Sequence, residues 1–156
     1  MPKEQHPYDG WDEEPTGEFR ALTARVLVAE DDPELRDLVA ARLRREGCEV
    51  IAVGSGGEAL DIITACAELP QLGLELAILD VRMPGMSGLE VVHSLRTGEV
   101  AMPILLVTAF PDPDLLAECG QLGVPVLKKP FALHRIGPAA RAAMRGGSDP
   151  GAEVPS

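Results

Sequence analysis

The sequence predicts an α/β fold in which five parallel strands form one doubly wound sheet, a (βα)5 sandwich with helices on both faces. Five short apolar runs alternate with five segments of helical periodicity, which predicts alternating strands and helices. The runs are apolar almost throughout, as is typical of parallel strands covered on both faces. A length of 156 residues, 46% of them hydrophobic, suits one domain with one core. Right-handed crossovers then wind the chain into the sandwich.

The predicted strands are short runs rich in Val, Ile, Leu and Ala, and the first of them reads RVLVA. Such composition without helical spacing favours strands. Gly54 and Gly57 follow the second run and mark a turn into a helix. The strands are predicted at residues 25–29, 48–53, 74–79, 104–107 and 124–127.

The five predicted helices each carry apolar residues at i, i+3 and i+4 spacing, which indicates one buried stripe. Asp32 precedes Pro33 and is expected to cap the first helix, and Ser87 is expected to cap the third. The fifth contains Gly137 and Pro138, so we expect it to kink or to begin late. The stripes are Leu35, Leu38, Val39 and Leu43; Ala59, Leu60, Ile63 and Cys66 or Ala67; Leu89, Val92 and Leu95; Leu115, Leu116, Cys119 and Leu122; and Leu133, Ile136, Ala140 and Met144.

The two ends of the chain differ in composition from the part between them. Residues 1–23 mix Pro and Gly with acidic residues, which predicts an acidic flexible tail, and residues 146–156 predict a flexible C-terminal tail. The folded domain is therefore expected at 24–145. The N-terminal tail holds the only Tyr and the only Trp of the chain, Tyr8 and Trp11, together with Phe19. It is interpreted as a solvated extension, or as a segment that docks aromatic side chains on the domain or on a partner.

Charge and composition argue against several classes of function. The chain has 25 acidic and 14 basic residues and a formal net charge of -11, so we expect no direct binding to nucleic acid or to a membrane surface. Cys48, Cys66 and Cys119 are odd in number and far apart, so they are interpreted as small core residues rather than as disulfides or zinc ligands. The sequence shows no signal peptide and no apolar run of about 18 residues, which predicts a soluble cytoplasmic protein.

Functional residues are expected just after the strands, because doubly wound sheets bind ligands beyond the carboxyl ends of their strands. Glu30 and Asp31 follow the first strand and Asp80 follows the third. Carboxylates brought together repel one another unless a cation neutralises them, and their hard oxygen atoms suit Mg²⁺. Thr108 and Lys129 add a hydroxyl and an ammonium, the groups that a phosphoryl group requires. The set predicts that Asp80 is a nucleophile that forms an aspartyl phosphate.

Several of these residues also have a purely structural interpretation. An Asp after a strand can cap a helix, which is the interpretation preferred for Asp32. Thr108 alone could be a β-branched residue that ends a strand. Lys128 and Lys129 could be a solvated pair, and only the following Pro130 and the position at a strand end favour a role for one of them.

Four motifs in order resemble the receiver domain of two-component response regulators. They read RVLVAEDDPELR, AILDVRMPGMSGLE, ILLVTA and VLKKPF, and the resemblance covers about 24–145. It implies the flavodoxin-like, or CheY-like, form of the predicted fold. It further implies that Mg²⁺ is bound directly by Asp31 and Asp80, through water by Glu30, and by the backbone carbonyl of Arg82.

The same resemblance implies the phosphorylation chemistry and the partners. Asp80 would be the phosphoacceptor, Thr108 would bond the phosphoryl group, and Lys129 would pair with it, with Lys128 as an exposed neighbour. The phosphoryl donor would be a histidine kinase or a histidine phosphotransfer protein. The domain would not be an enzyme beyond its own phosphorylation and dephosphorylation, and it would switch contacts with a downstream protein target or form a homodimer.

Features outside the site bear on the output. No output domain is expected after residue 145, which favours a relay intermediate or a regulator acting by protein contact, unless the chain is part of a longer protein. Val126 stands where receivers commonly have an aromatic residue, and Pro111 and Pro113 stiffen the loop after Thr108. We expect phosphorylation to move mainly this loop.

Two other classes of function remain as alternatives. An Asp-nucleophile phosphatase of the haloacid dehalogenase type would want a second Asp two residues after the nucleophile, where Arg82 stands. An inert pseudo-receiver that binds partners without phosphorylation would be expected to lose a member of the acidic, Thr and Lys set, which here is complete.

Overall fold

A computed structural model describes residues 23–146. It confirms the predicted fold class, with five parallel strands in one sheet and five α-helices around it. The strands are β1 (Arg25–Ala29), β2 (Glu49–Val53), β3 (Leu76–Asp80), β4 (Ile104–Thr108) and β5 (Val126–Lys128). The helices are α1 (Pro33–Arg45), α2 (Gly56–Glu68), α3 (Gly88–Thr97), α4 (Pro113–Leu122) and α5 (Ile136–Met144), and 3₁₀ turns span Pro70–Leu72 and Leu133–Arg135.

The order of the strands in the sheet is β2-β1-β3-β4-β5, and all neighbours are parallel. The chain therefore moves from β1 outward in one direction to β2 and then in the other direction through β3, β4 and β5. The direction reverses between β1 and β3, and ligands bind doubly wound sheets beside such a switch point. This topology brings the residues after β1 and β3 side by side.

Two hydrophobic layers cover the two faces of the sheet. One layer joins Leu27, Leu79 and Leu106 to α2, α3 and α4, and the other joins Val26 and Ile78 to α1 and α5. Successive strand residues point to opposite faces, so each strand contributes to both layers. All five residues of β3 and of β4 are buried, as the nearly continuous apolar runs predicted.

Three predicted strands begin earlier than the observed ones. The amide of Cys48 donates to the Leu43 carbonyl at 3.0 Å, and the amide of Val124 donates to the Cys119 carbonyl at 2.9 Å. These hydrogen bonds close the preceding helices, so the two residues end a helix instead of opening a strand. β3 likewise begins at Leu76 rather than at 74.

The residues of the predicted helical stripes are buried or partly buried except Leu38 and Ala67, the alternative to Cys66 in the second stripe, which are exposed. Leu38 was predicted to be buried, but it is 52% exposed and lies outside the buried face of α1, which consists of Val39, Ala40, Arg42 and Leu43. Cys66 is only partly buried, whereas Cys48 and Cys119 are buried and all three thiols are free. The helix predicted to kink or begin late begins at Ile136, so that Pro138 lies in its first turn, where its missing amide costs no helical hydrogen bond.

Within residues 23–146, no helix combines the length and the apolar character that crossing a bilayer requires. The two predicted tails lie outside the described residues except at their innermost positions. The domain limits of 24–145 therefore stay a prediction.

Candidate functional site

An acidic cluster lies at the carboxyl edge of the sheet, beside the switch point between β1 and β3. Glu30, Asp31 and Asp80 each offer a carboxylate oxygen, and these oxygens all lie within 4.8 Å of one another. Glu30 and Asp80 are each about 5% exposed, whereas Asp31 is exposed. The structure thus brings together the three carboxylates that the sequence predicted, with one of them open to solvent.

The chain after β1 is held by its own turn into α1. The side chain of Asp32 accepts a hydrogen bond from the Glu34 amide at 3.0 Å and caps the helix, as predicted, with Pro33 as the first helical residue. The amide of Asp32 in turn donates to Glu30 Oε2 at 3.1 Å. The guanidinium of Arg36, one turn into α1, donates to the Glu30 carbonyl at 3.1 Å. Together these bonds fix Glu30 and direct Asp31 to solvent.

Asp80 ends β3, and the following turn packs closely against it. The Arg82 amide donates to Asp80 Oδ1 at 3.3 Å. Ser87 caps α3 in a capping box with Glu90, as the sequence predicted for Ser87. The first residue of α3 is Gly88, where a Cβ atom would lie 2.4 Å from the Asp80 carbonyl oxygen. Only glycine lets the helix begin this close to the strand end, which keeps the Asp80 backbone in place.

Lys129 is the counter-charge of the cluster. Its Nζ lies 3.0 Å from Glu30 Oε1 and 3.1 Å from Asp80 Oδ2. Burial lowers the pKa of this ammonium, but the hydrogen bond to Glu30 and the charge of Asp80 outweigh burial, so the pKa of Lys129 is raised. The lysine therefore stays positively charged between two buried carboxylates. Its neighbour Lys128, predicted to be exposed, is half-buried at the end of β5.

One ammonium does not neutralise the cluster. Burial, opposed by the hydrogen bonds from Lys129 and from the Asp32 amide and reinforced by the charge of Asp80, raises the pKa of Glu30 to about 7. The surplus of negative charge follows from the composition of the cluster, because three carboxylates share one ammonium. Hard oxygen donors at this spacing fit a divalent cation such as Mg²⁺, because the ion would supply the missing positive charge.

Thr108 ends β4, the strand beside β3. It is 2% exposed, and its Oγ1 accepts a hydrogen bond from the Phe110 amide at 3.1 Å. The hydroxyl is therefore tied to the loop that leads into α4. Phe110 is 63% exposed, and the guanidinium of Arg82 lies 5.1 Å from the centre of its ring. This cation–π contact links the loops that follow β3 and β4.

Sequence reasoning did not foresee three of these contacts. The bond from Arg36 to the Glu30 carbonyl, the close approach of Gly88 to Asp80 and the Arg82–Phe110 contact join residues on different loops and helices. A glycine at the first position of a predicted helix was a signal for close packing there. A surface depression of about 560 Å³ adjoins the cluster; its lining consists of Asp31, Val81, Arg82, Met83, Pro84 and Ser87.

Comparison with known proteins assigns the family. Residues 26–141 match the family described as response regulator receiver domain. The regulatory protein TcrX of Mycobacterium tuberculosis is 36% identical over 77% of this chain and 49% of its own length. The DNA-binding response regulator MtrA of Mycolicibacterium smegmatis is 34% identical over 85% of this chain and 56% of its own length. The chain thus spans about half the length of these relatives.

Solved structures agree with this assignment. The chemotaxis response regulator CheY4 of Vibrio cholerae is 27% identical and superposes with a TM-score of 0.67, covering 78% of this chain and 99% of CheY4. A response regulator receiver domain from Clostridium thermocellum is 25% identical with a TM-score of 0.66, covering 78% of this chain and 94% of that domain. The sequence match, the shared fold and the acidic cluster at the switch point agree: the chain belongs to the response regulator receiver domain family.

Proposed function

We propose that the domain accepts a phosphoryl group on Asp80, with Mg²⁺ bound by the acidic cluster, from a histidine kinase or a histidine phosphotransfer protein. The observation that carries the proposal is the arrangement of three carboxylates within 4.8 Å, with the Lys129 ammonium in contact with two of them. Such a cluster has more negative charge than its own chain neutralises. A bound cation would neutralise the surplus negative charge and allow a phosphoryl group, which is also negative, to approach Asp80.

In the transfer step, a carboxylate oxygen of Asp80 forms a bond to phosphorus while the bond from phosphorus to the imidazole nitrogen of the donor breaks. The donor imidazole keeps the bonding electron pair and leaves as neutral histidine once it holds a proton. Lys129 already lies 3.1 Å from Asp80 Oδ2, so it is placed to neutralise charge on the phosphoryl oxygens. Bound Mg²⁺ would supply further charge neutralisation, with Asp31 and Asp80 as direct ligands, Glu30 acting through water, and the Arg82 carbonyl as a further ligand.

Thr108 would carry the change outward. Its hydroxyl accepts the Phe110 amide hydrogen bond, so a turn of the hydroxyl toward a phosphoryl group on Asp80 would release or pull the loop before α4. Val126 is buried and too small to act as an aromatic reporter. The output is therefore a change of protein contacts at this loop, to a downstream protein or a second copy. DNA binding, named for relatives such as MtrA, is not transferred to this chain.

The two alternative functions lack a supporting observation. At the place where a phosphatase of the haloacid dehalogenase type would want its acid, Arg82 turns its guanidinium to Phe110. An inert pseudo-receiver would not need Lys129 between Glu30 and Asp80. Both alternatives become outcomes of the same test.

The test follows the intact mass of the protein during incubation with phosphoramidate, a small phosphodonor, with and without Mg²⁺. We expect a gain of one phosphoryl group that requires Mg²⁺. Lys129→Met should slow the gain, whereas the matched control Lys128→Met, one residue away, should behave as the wild type. No gain under any condition would identify an inert module. Hydrolysis of many phosphate esters per protein molecule would identify a phosphatase.

A further inference from the structure

A second concave surface lies at the amino edge of the sheet, opposite the acidic cluster. This groove, which we call the amino-edge groove, has a volume of about 530 Å³ and is formed by the start of β4, the turn before β5 and the end of α5. Its apolar lining includes Val100, Met102, Ile104 and Met144, and Arg96 lies at its rim. None of these residues takes part in the proposed phosphorylation.

The groove is preformed by hydrogen bonds in the connection between α3 and β4. The Val100 amide donates to the Leu95 carbonyl at 2.8 Å, which closes the helix end. The Arg96 guanidinium lies 3.4 Å from the carbonyl oxygens of both Val100 and Met102. The charged residues of the lining are Arg96 and Glu99, and its other walls are mostly apolar. Such a surface suits one large apolar group, with Arg96 as the partner for an acidic neighbour.

The N-terminal segment, residues 1–22, joins the described domain at Thr23, just before β1 and thus at the same edge of the sheet. Ala24, just before β1, packs against the same hydrophobic layer as Met144 of α5. β1 and β4 are separated by β3, a distance of about 10 Å at the usual spacing of strands. Trp11 lies twelve residues before Thr23, and an extended chain of that length spans up to about 40 Å. The segment is long enough to place Trp11 in the groove.

The composition of the segment matches the groove. Trp11 is the only tryptophan of the chain and is followed directly by Asp12, Glu13 and Glu14. An indole ring can pack against methionine sulfur and apolar walls, and the acidic residues after it would face the rim guanidinium of Arg96. Gly146 also lines the groove, but residues 147–156, which follow it in sequence, include no aromatic residue.

We infer that the amino-edge groove is a docking site for the chain's own N-terminal segment, with Trp11 as the anchor between Met102 and Met144 and the acidic residues after it next to Arg96. The inference is independent of the phosphorylation chemistry, because the groove and the acidic cluster lie at opposite edges of the sheet. Of the two interpretations of this segment, a solvated extension or a docked one, the inference selects docking on the domain and gives a role to Trp11.

The five methionines of the chain provide the test. In the full chain with ¹³C-labelled methionine methyl groups, Trp11→Ala should remove ring-current shifts from the Met102 and Met144 signals. Met83 and Met86, which lie in the loop at the opposite edge, should keep their wild-type signals and serve as internal controls. The replacement leaves every core residue of the described part, residues 23–146, unchanged.

A charge variant and a truncation complete the design. Arg96→Glu should weaken the contact and produce part of the same change in the Met144 signal, which is the readout here because Arg96 itself contacts the Met102 carbonyl. Arg44→Glu on α1 should leave the Met144 signal unchanged. Unchanged Met102 and Met144 signals in Trp11→Ala would overturn the inference. Changes produced only by removal of residues 147–156 would show that the C-terminal segment occupies the groove and would equally overturn it. Shifts that depend on protein concentration would indicate a second copy and contradict docking within one chain.

Discussion

Buried charge occurs in two places among the described residues, and the two places differ in their balance. In the acidic cluster, Glu30 and Asp80 share one ammonium and lie beside a third carboxylate. Between α1 and α5, Arg42 and Glu46 form a buried pair, with Nε and Oε2 2.7 Å apart and both side chains 4% exposed. The first place has surplus charge at a switch point of the sheet, and the second is balanced.

The balanced pair is part of the packing between two helices. Glu46 lies directly after α1 and packs against Gly137 of α5. A Cβ atom on Gly137 would lie only 2.4 Å from Glu46 Oε1. The pair is thus enclosed by the helix that it helps to dock. Buried charge by itself does not mark a functional site. Buried charge that the chain does not neutralise is the better indicator of a functional site, because the free-energy cost of burying it is recovered only when a ligand binds.

Breaking the balanced pair should have the largest effect on stability. Arg42→Met leaves the Glu46 carboxylate buried without its main partner and should lower the free energy of unfolding by about 3–5 kcal/mol. The measurement is urea denaturation. The double variant Arg42→Met/Glu46→Leu removes both charges and should recover most of the loss. A double variant as unstable as the single one would show that packing, not unpaired charge, causes the effect.

Removing a charge from the surplus cluster should act mainly on Mg²⁺. Asp31→Asn removes a direct ligand of Mg²⁺. Loss of a group that acts only through another ligand typically weakens metal binding by about 10- to 100-fold, so loss of a direct ligand should weaken it by more than about 100-fold. Glu30→Gln, expected to act through water, should cost less. Thermal melting at stepped Mg²⁺ concentrations measures both affinities. Equal losses in the two variants would mean that the order of the ligands is wrong.

Gly137→Ala should have an intermediate effect on stability. The added methyl group would push the Glu46 carboxylate from its position beside Arg42, and overpacking of this kind costs about 1–3 kcal/mol. The matched control is Gly120→Ala in α4, where a Cβ atom meets nothing within 4 Å. Alanine there should be neutral or stabilising, because it is the better helix former. Similar losses in both variants would contradict the proposed contact.

The stability of the domain should also depend on pH. Glu30 has a pKa of about 7 in the folded domain against 4.5 as its ordinary value. Its contribution to stability is therefore fully present below pH 4.5 and is lost as the pH rises toward 7. Without Mg²⁺, the wild type should lose stability between pH 5 and pH 8 relative to Glu30→Gln. Added Mg²⁺ should stabilise the wild type more at pH 8 than at pH 5. Glu34→Gln, exposed in α1, controls for the loss of one charge. A difference between wild type and Glu30→Gln that does not change with pH would contradict the raised pKa.

The sequence allowed the unbalanced cluster to be predicted but not the balanced pair. Glu30, Asp80 and Lys129 each follow an apolar run, and the topology of parallel sheets brings strand ends together, so their proximity follows from local patterns. Their roles as ligands and phosphoacceptor rest on the family resemblance and stay predictions. Arg42 and Glu46 are four residues apart on a polar part of the sequence, which resembles a solvated face. Their burial depends on Gly137, which is distant in sequence, and no local pattern shows that contact.

The most direct test of the central claim compares phosphorylation in variants of the two buried places. The intact mass is followed with phosphoramidate and Mg²⁺ in the wild type, in Asp80→Asn and in Arg42→Met/Glu46→Leu. If the unbalanced cluster carries the function, the wild type and the double variant gain one hydroxylamine-labile phosphoryl group, and Asp80→Asn gains none while remaining folded. A folded Asp80→Asn protein that gains the same group at the wild-type rate would contradict the account.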